Sequence, residues 1–366
     1  MILKYLSVID FKNIASAELR FSDKINCFIG NNGMGKSNIL DAIHYLSFTK
    51  SHLGLNDYYS ISFDKEETIL NGMFIDHDTD DKNILLRIKR GERKILKKNK
   101  KEYQKISQHI GLIPLVIISP QDNQLVSGTS EARRKFIDQQ LSQQDPVYMD
   151  MLISYNKVLT QRNTILREGT MSKELIDILD MQMSRYAEYI YNKRIGFIRQ
   201  FVPIFNKYYQ LISDSTEFVS VNYVSQLNDT DGNLKPLLEG SVRKDLTLGF
   251  TSVGVHKDDL EMLIGEELIR KVGSQGQQKT FLISLKISQY ELLSRYSQTK
   301  PILMLDDIFD RLDSNRVSKI ISMVSGEDFG QIFITDTNRE YIDKIVASTG
   351  NDFYIYTVKN GFISME

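Results

Sequence analysis

Short apolar runs, bounded by polar or turn-forming residues, follow one another along the first third of the chain. Runs of this length and spacing are typical of β-strands. A helix-forming stretch, Asn38–Leu46, interrupts them. We predict strands at Ile2–Ile9, Glu18–Phe21, Ile25–Ile29, Thr68–Ile75, Asn83–Lys89 and Leu115–Ile118. Residues 1–125 are therefore expected to form the first part of an α/β domain.

The pattern changes to long helical stretches with few glycines between about Ser130 and Ser213. The pair Asp145-Pro146, an N-cap residue followed by proline, predicts the start of one helix. A second helix follows a break near Gly169-Thr170, and Pro203 is expected to kink its end. Its apolar positions recur at near-heptad spacing: Leu179, Met183, Tyr186, Ile190, Phe197, Phe201, Ile204 and Tyr208. We interpret residues 126–215 as an inserted antiparallel helical arm whose apolar stripes provide packing.

Strand-like runs return after the arm and then alternate with helices. We predict strands at Glu217–Val224, Leu246–Gly254 and Leu260–Ile264, and a long amphipathic helix at Phe281–Tyr296. Residues 216–366 are therefore assigned to the second part of the same domain. The predicted fold class is α/β, a split domain with an inserted helical arm.

Composition restricts the location of the protein and its redox chemistry. The 366 residues are 41% hydrophobic and can bury a substantial core. No apolar stretch approaches the ~20 residues that span a bilayer, and the start Met1–Lys4 is typical of a strand. We therefore expect a cytoplasmic protein with no membrane partner. Cys27 is the single cysteine, which excludes an intrachain disulfide and suggests a small buried hydrophobe.

The strongest chemical signal follows the third predicted strand. Residues Gly30-Asn31-Asn32-Gly33-Met34-Gly35-Lys36-Ser37 fit the pattern G-x-x-x-x-G-K-[ST] of a phosphate-binding loop. Such a loop points backbone N–H groups at the phosphates of ATP, and the helix that begins there adds its positive end. Lys36 would reach the β- and γ-phosphates, and the Ser37 hydroxyl would ligate Mg²⁺. Asn38, in the first helical turn, is included in the nucleotide site.

A second motif supplies two carboxylates. The continuous apolar run Ile302–Leu305 predicts a strand buried on both faces of a parallel sheet, and Asp306-Asp307 follow it. Asp306 would hold Mg²⁺ opposite Ser37, and Asp307 would orient or deprotonate the attacking water. Adjacent acids after a strand also suit a simple turn, but the phosphate loop in the same chain favours the catalytic interpretation.

A third motif resembles the signature of ABC-type ATPases, whose standard form is Ser-Gly-Gly-Gln. It is Ser274-Gln275-Gly276-Gln277, at a predicted helix start where N–H groups face an anion. In ABC-type ATPases the signature closes over the γ-phosphate held by a partner, which implies an ATP-dependent head-to-tail homodimer. Leu312-Asp313 resembles the D-loop of these proteins. No switch histidine follows the strand Ile332–Ile334, so γ-phosphate sensing would fall to Thr335 or Thr337.

Charge is nearly balanced over the whole chain but not locally. The net charge of −1 excludes a uniformly basic nucleic-acid binder. Between Arg87 and Lys101, nine basic residues face the single acid Glu92, in a segment that predicts a β-hairpin turning near Gly91-Glu92. A solvated sheet edge and a contact with the phosphates of DNA remain alternative explanations. The DNA contact would use Lys97, Lys98, Lys100 and Lys101.

These motifs and several shorter ones resemble, over nearly the full length, the RecF family of bacterial recombination and replication-gap repair ATPases. The shorter motifs are Phe11-Lys12-Asn13, Ser119–Asp122, Arg133–Asp138, Gln161-Arg162-Asn163 and Gly254–Asp259. The family pattern prefers proline at the position of Val255 and arginine at the positions of Lys257 and Lys279. This chain departs from the pattern there, which affects only the local roles of these residues.

The resemblance implies an ABC-type P-loop ATPase head related to SMC heads. It further implies ATP-dependent dimerisation on duplex or gapped DNA without sequence preference, and slow DNA-stimulated hydrolysis. Cooperation with RecR and RecO in loading RecA at gaps would place the protein in DNA replication, DNA damage repair and the SOS response. The alternative is an SMC-like head ATPase of another repair complex, which would normally carry a far longer arm. A transporter subunit predicts a signature nearer the phosphate loop, and a metabolic kinase predicts no signature.

The resemblance also suggests roles for residues outside the main motifs. Lys12 and Asn13 match positions that approach the nucleotide, although strand-end capping remains open. Gln121, or Asp122 beside it, would take the Q-loop role that couples Mg²⁺ and the γ-phosphate to the arm. The loop His256–Asp259 remains open between a turn and a coupling role.

Arg133 and Arg134 form a separate basic pair near the start of the arm. DNA contact and salt bridges both suit these residues. We favour salt bridges at the base of the arm.

Overall fold

The computed structural model describes residues 1–76, 79–168, 172–213, 217–309, 312–349 and 353–366. They fall into two structural units. The first comprises Met1–Asn123, Leu211–Asp214 and Gln275–Glu366, and the second comprises Gln124–Gln210 and Ser215–Ser274. In the described ranges no helix is both long and apolar enough to cross a membrane.

The strands of the described residues are numbered in chain order. They are β1 (Ile2–Phe11), β2 (Ile14–Arg20), β3 (Ile25–Ile29), β4 (Glu67–Asp76), β5 (Thr79–Lys89), β6 (Ile95–Lys98), β7 (Lys101–Glu102), β8 (Leu115–Ile118), β9 (Val219–Val224), β10 (Asp259–Ile264), β11 (Glu267–Leu268), β12 (Ile302–Asp306), β13 (Ile332–Asp336), β14 (Phe353–Lys359) and β15 (Phe362–Met365).

The α-helices are numbered in the same way. They are α1 (Lys36–Phe48), α2 (Asn123–Ser127), α3 (Ser130–Gln144), α4 (Pro146–Glu168), α5 (Lys173–Ser213), α6 (Lys235–Leu248), α7 (Ile269–Val272), α8 (Gln275–Tyr296), α9 (Ser314–Val324) and α10 (Arg339–Thr349).

The first unit contains two six-stranded sheets. One is antiparallel, in the order β2-β1-β4-β5-β6-β7, and the other has the order β15-β14-β3-β13-β12-β8. All neighbours in the second sheet are parallel except β14 and β15. All six strands predicted before residue 125 are confirmed, and so are the strands that carry Asp306 and Thr335.

Helix α1 lies between the two sheets and contacts β1, β4 and β5 of one and β12 and β13 of the other. Its residues from Ile39 to Phe48 are buried, because both sides of the helix meet a sheet. Cys27 on β3 is buried as predicted. The parallel strands β3, β12 and β13 all end on the same edge, so the residues that follow them are brought together there.

The second unit consists of helices and a three-stranded antiparallel sheet in the order β11-β10-β9. Helix α4 begins at Pro146, as predicted, and Asp145 accepts hydrogen bonds from the N–H groups of Val147 and Tyr148. Helix α5 continues past Pro203 to Ser213. The break predicted near Gly169-Thr170 lies outside the described residues.

Two sequence-based assignments in this unit differ from the structure. The predicted strand Leu246–Gly254 is wrong, because α6 runs to Leu248 and ends at Gly249 in the left-handed conformation that favours glycine. Residues 216–274, assigned from the sequence to the second part of the α/β domain, belong to the second unit, which extends to Ser274. The reason is that β10 packs against α3 of the same unit.

Candidate nucleotide-binding site

The predicted phosphate loop connects β3 to α1 in the first unit. Gly35 caps the helix with a φ of 113°, a conformation that side-chain-bearing residues rarely adopt. The Lys36 ammonium donates to the carbonyl oxygens of Gly30 at 2.8 Å and Asn31 at 3.3 Å. Lys36 is therefore held inside the curve of the loop, next to the positive end of α1, which is the arrangement a polyphosphate requires.

Ser37 and Asp306 meet at the carboxyl edge of the parallel sheet. The Ser37 hydroxyl donates to Asp306 Oδ1 at 2.8 Å, and the Thr335 hydroxyl donates to the same oxygen at 2.6 Å. Asp306 is only 2% exposed. A hydroxyl and a carboxylate are the oxygen ligands that Mg²⁺ prefers beside a nucleotide, so these residues fit the predicted metal site.

Asp307 occupies a separate position from its neighbour. Its backbone has a φ of 45°, and its N–H donates to the carbonyl oxygen of Thr335 at 3.2 Å and to the Thr335 hydroxyl at 3.1 Å. Asp307 is half-buried, whereas Thr335 is buried and Thr337 is exposed. Asp307 thus follows Asp306 in a tight turn with a different backbone conformation, and its role as the water-activating acid remains a prediction.

Two turns support the phosphate loop around Met34. Asn13, in the turn between β1 and β2, donates from Nδ2 to the Met34 carbonyl oxygen at 3.2 Å and accepts from Asn38 Nδ2 at 2.7 Å. Gly361, between β14 and β15, donates its N–H to the same carbonyl at 2.8 Å. A Cβ on Gly361 would lie 2.0 Å from the Asn13 carbonyl oxygen, so only glycine fits. Sequence reasoning missed Asn360-Gly361, although an Asn-Gly pair between apolar runs is a strong hairpin signal.

Lys12 forms a buried ion pair with Asp41 of α1, with 2.6 Å between Nζ and Oδ2. Asp41 also accepts from the Ser51 hydroxyl at 2.8 Å and from Nδ1 of His52 at 2.7 Å. Burial alone would raise the pKa of Asp41, but the hydrogen bond from His52 and the charge of Lys12 hold it well below its usual range. This network fixes Lys12 beside α1, and its contact with nucleotide remains a prediction. Sequence reasoning did not single out Ser51 and His52.

The two candidates for the Q-loop role are placed differently. The turn that carries them follows β8, whose last residue Ile118 pairs with Leu305, next to Asp306. Asp122 accepts from the N–H of Ser119 at 2.8 Å and pairs with Lys286 of α8 at 2.9 Å. Gln121 is exposed. The Asp122 carboxylate is thus committed within the fold, and Gln121 is the better candidate for a ligand contact.

The predicted signature stands at the start of α8, with Ser274 exposed immediately before it. A Cβ on Gly276 would lie 3.0 Å from an Arg316 guanidinium nitrogen of α9. Arg316 pairs at 3.2 Å with Asp313, the N-cap of α9 and part of the predicted D-loop. The first turn of α8 and the start of α9 are therefore neighbours.

The loop Gly254–Asp259 is tied into the second unit by charged contacts. Arg133 pairs with Asp259 at 2.6 Å, and Arg134 donates to the Asp258 carbonyl oxygen at 2.7 Å. The Asp258 carboxylate pairs at 2.7 Å with Arg194, which is almost fully buried. The salt-bridge interpretation of Arg133 is confirmed, and the Arg134 side chain binds a backbone carbonyl of the same loop.

The basic run forms the predicted hairpin, in which Leu86 pairs with Leu96. The chain then turns again at Asn99 and Lys100, both with positive φ, so that Lys98 pairs with Lys101 across β6 and β7. Arg87, Lys89 and Lys94 are paired with Glu67, Glu92 and Asp57. Among the described residues, the ion pairs do not involve Lys97, Lys98, Lys100 or Lys101, so these four charges remain available at the edge of the sheet.

Comparisons with known proteins agree with this geometry. Residues 2–361 match the family model of the RecF/RecN/SMC N terminal domain. The chain is 52% identical over 363 residues to the DNA replication and repair protein RecF of Porphyromonas gingivalis, covering 99% of this chain and 100% of that protein. It is 50% identical over 361 residues to RecF of Parabacteroides distasonis, covering 99% and 98% of the two chains.

Solved structures extend the comparison to the fold. A structure of the recombination mediator protein RecF with ATP, described as part of the RecFOR pathway, has a TM-score of 0.89 and 29% identity, covering 100% of this chain and 97% of that one. The Smc head domain of Pyrococcus furiosus has a TM-score of 0.59 at 14% identity, which shows a shared fold alone. The matched family model and relatives about half identical over the full length place this chain in the RecF family of DNA replication and repair proteins, ATPases of the SMC-head class.

Proposed function

We propose that this protein is an ATP-gated DNA clamp. Two copies would close head to tail around two molecules of ATP with Mg²⁺ and hold duplex or gapped DNA without sequence preference. Slow, DNA-stimulated hydrolysis would reopen the clamp. The observation that carries this proposal is the convergence of Lys36, Ser37, Asp306 and Asp307 at one edge of the first unit, in the chemistry of a phosphoryl-transfer site.

The residues divide the reaction between them. Lys36 would neutralise charge on the β- and γ-phosphates, and Ser37 and Asp306 would hold Mg²⁺. When bound, Mg²⁺ draws charge from the phosphate oxygens. Asp307 orients the attacking water and takes its proton. Its side chain is a methylene shorter than that of glutamate, so the geometry is met less often, which accords with slow turnover.

The signature motif at the start of α8 is the reason for proposing that two copies of the chain form each nucleotide site. Ser274 is exposed before α8, and Gly276 and Gln277 follow in its first turn, where N–H groups and the helix dipole favour an anion. We assign them to the γ-phosphate held by the partner copy, with Lys12, Asn13 and Asn38 on the nucleotide of their own copy. Gln121 would couple that site to the second unit.

DNA binding and partner recruitment complete the proposal. Lys97, Lys98, Lys100 and Lys101 would contact phosphates, which supports affinity without sequence readout. By family membership, the clamp on DNA would recruit RecR and RecO and so promote loading of RecA at gaps. An SMC-like head of another repair complex is the second candidate, but the likeness to SMC heads is limited to the fold.

Retention on gapped DNA tests this function. Wild type should bind gapped DNA tightly only with ATP, and the DNA affinity of Lys36→Arg should not change when ATP is added. Asp307→Asn preserves the shape of the turn but removes the base, so it should bind with ATP and dissociate about tenfold more slowly than wild type. Equal DNA binding with ATP, with ADP and without nucleotide would contradict a gated clamp.

A further inference from the structure

Three aromatic rings stand exposed on the segment between α1 and β4. Tyr58 is 56% exposed, Tyr59 64% and Phe63 93%, and we call these three residues the aromatic platform. Aromatic side chains usually bury most of their surface, and clustered exposed rings mark binding sites. Their exposure is not explained by the nucleotide site.

Arg90, immediately after β5, holds Tyr58 of the platform in place. The Arg90 guanidinium lies 4.1 Å from the centre of the Tyr58 ring, and its Nε donates to the Lys65 carbonyl oxygen at 2.8 Å. The Tyr59 ring meets that of Tyr58 edge to face, with 5.4 Å between their centres. Rings held in this way lose little freedom when a flat ligand stacks on them.

Unpaired cations continue from the platform along the hairpin. Arg93 follows Arg90 in the first turn, and Lys97 and Lys98 lie further along β6, at about 3.3 Å per residue. Arg93 has no carboxylate partner among the described residues. In contrast, Asp57 beside the platform is neutralised by Lys94 at 2.7 Å. Because side chains alternate along a strand, Lys97 lies on the face of β6 opposite to the buried Leu96, across the ladder from Glu102. The segment thus places rings at one end and, further along the hairpin, cations without an ion-pair partner in the described part of the chain.

Rings and cations in this combination suit single-stranded DNA better than a duplex or a protein. In a duplex each base face is covered by its neighbour, whereas unpaired bases expose faces that stack on aromatic rings. Lysines and arginines without ion-pair partners attract a phosphate backbone, and lysine is depleted in protein interfaces.

We infer that the aromatic platform stacks on unpaired bases while the cations of the hairpin hold the adjoining phosphates. This rests on the proposed DNA-binding function and assigns the contact with the single-stranded side of a gap to particular residues, Tyr59 and Phe63, with Tyr58 fixed by Arg90.

The test compares single-stranded and duplex DNA with ATP present. Replacing Tyr59 and Phe63 by alanine should lower affinity for an oligothymidylate about tenfold for each ring, with a much smaller effect on blunt duplex. Quenching of 2-aminopurine in the single strand should disappear in the same variant and return with Tyr59→Phe and Phe63→Tyr, which keep the rings. Phe218→Ala removes a ring that is 71% exposed in the second unit and serves as the matched control.

Charge variants separate stacking from phosphate contact. Replacing Lys97, Lys98, Lys100 and Lys101 by glutamate should flatten the salt dependence of binding, whereas ring removal should lower affinity at an unchanged slope. Asp64→Asn with Glu66→Gln, which removes two exposed acids near Phe63, should strengthen single-strand binding.

Unchanged affinity and quenching after ring removal would overturn the inference and leave the clamp intact. Ring variants that lose ATP-driven dimerisation but keep single-strand binding would make the platform a protein contact instead. A wild-type protein that binds no DNA with ATP would overturn the proposed function as well.

Discussion

The Ser37 hydroxyl lies 2.8 Å from a carboxylate oxygen of Asp306, although the two residues are 269 positions apart in the chain. Parallel pairing of β12 with β13 and of β13 with β3 makes this contact possible, because it brings the ends of these strands to one edge. Thr335 donates to the same Asp306 oxygen at 2.6 Å. The contact therefore joins the phosphate loop to the acidic strand end as one metal-binding unit.

Asp306→Asn should weaken ATP binding about tenfold or more in the presence of Mg²⁺ but little in its absence. The amide retains the shape of the side chain but lacks the charge that holds the metal. Titration calorimetry with and without Mg²⁺ measures the difference. Asp150→Asn, the same change at an exposed position of α4, is the control. Equal losses under both conditions would remove Asp306 from the metal site.

Lys286 and Asp122 form a pair that secures α8 to the turn carrying Gln121. Lys286 is 4% exposed and its Nζ lies 2.9 Å from the Asp122 carboxylate. Asp122→Asn should lower the free energy of unfolding by about 3 kcal/mol, because a buried ammonium loses its counter-charge. Combining it with Lys286→Met should restore much of the loss, as measured by urea denaturation.

Glu291 and Arg295, a pair on the same helix in which the arginine is exposed, provide the control for this prediction. Replacing Arg295 by methionine should cost less than ~1 kcal/mol, since surface pairs are screened by solvent. If the Asp122 variant were no more destabilised than this control, the pair would have no special role in holding the turn.

Buried histidines make the first unit sensitive to acid. Burial lowers the pKa of His44 to about 3 and the pKa of His109 to about 4, from an ordinary value of 6.5. Below pH 6.5 the unfolded chain protonates both rings while the folded protein keeps them neutral. Unfolding therefore takes up protons, and the free energy of unfolding decreases as the pH is lowered.

Each ring should contribute a slope of about 1.4 kcal/mol per pH unit between pH 6.5 and about 4. Urea denaturation followed by circular dichroism at several pH values measures this slope. His44→Gln should reduce it by one such contribution. A stability that stays constant from pH 6.5 to 5 would show that these rings are protonated in the folded protein.

Much of the site could be predicted from the sequence because its motifs are local. The glycine spacing around Lys36 and the apolar run before Asp306 depend on neighbouring residues alone. Parallel strands surrounded by other elements show as continuous apolar runs, and every residue of β12 is buried.

Features that depend on distant contacts could not be predicted in this way. The role of Asp41 depends on Lys12, Ser51 and His52, which meet only after α1 packs between the sheets. Leu246–Gly254 has strand-like composition, but burial of Asp245 on one face of α6 and Gly249 at its end produce a helix.

Light scattering with and without ATP and Mg²⁺ tests the central claim, a nucleotide site shared by two copies, most directly. Wild type should change from the 42.3 kDa of one chain to twice that mass on adding ATP. Lys36→Arg should remain monomeric because it binds ATP poorly. The planar guanidinium group of arginine cannot replace the compact ammonium charge of lysine in the loop. Ser274→Arg should bind ATP but remain monomeric. Wild type that stays monomeric at saturating ATP, or Ser274→Arg that dimerises as wild type does, would contradict the account.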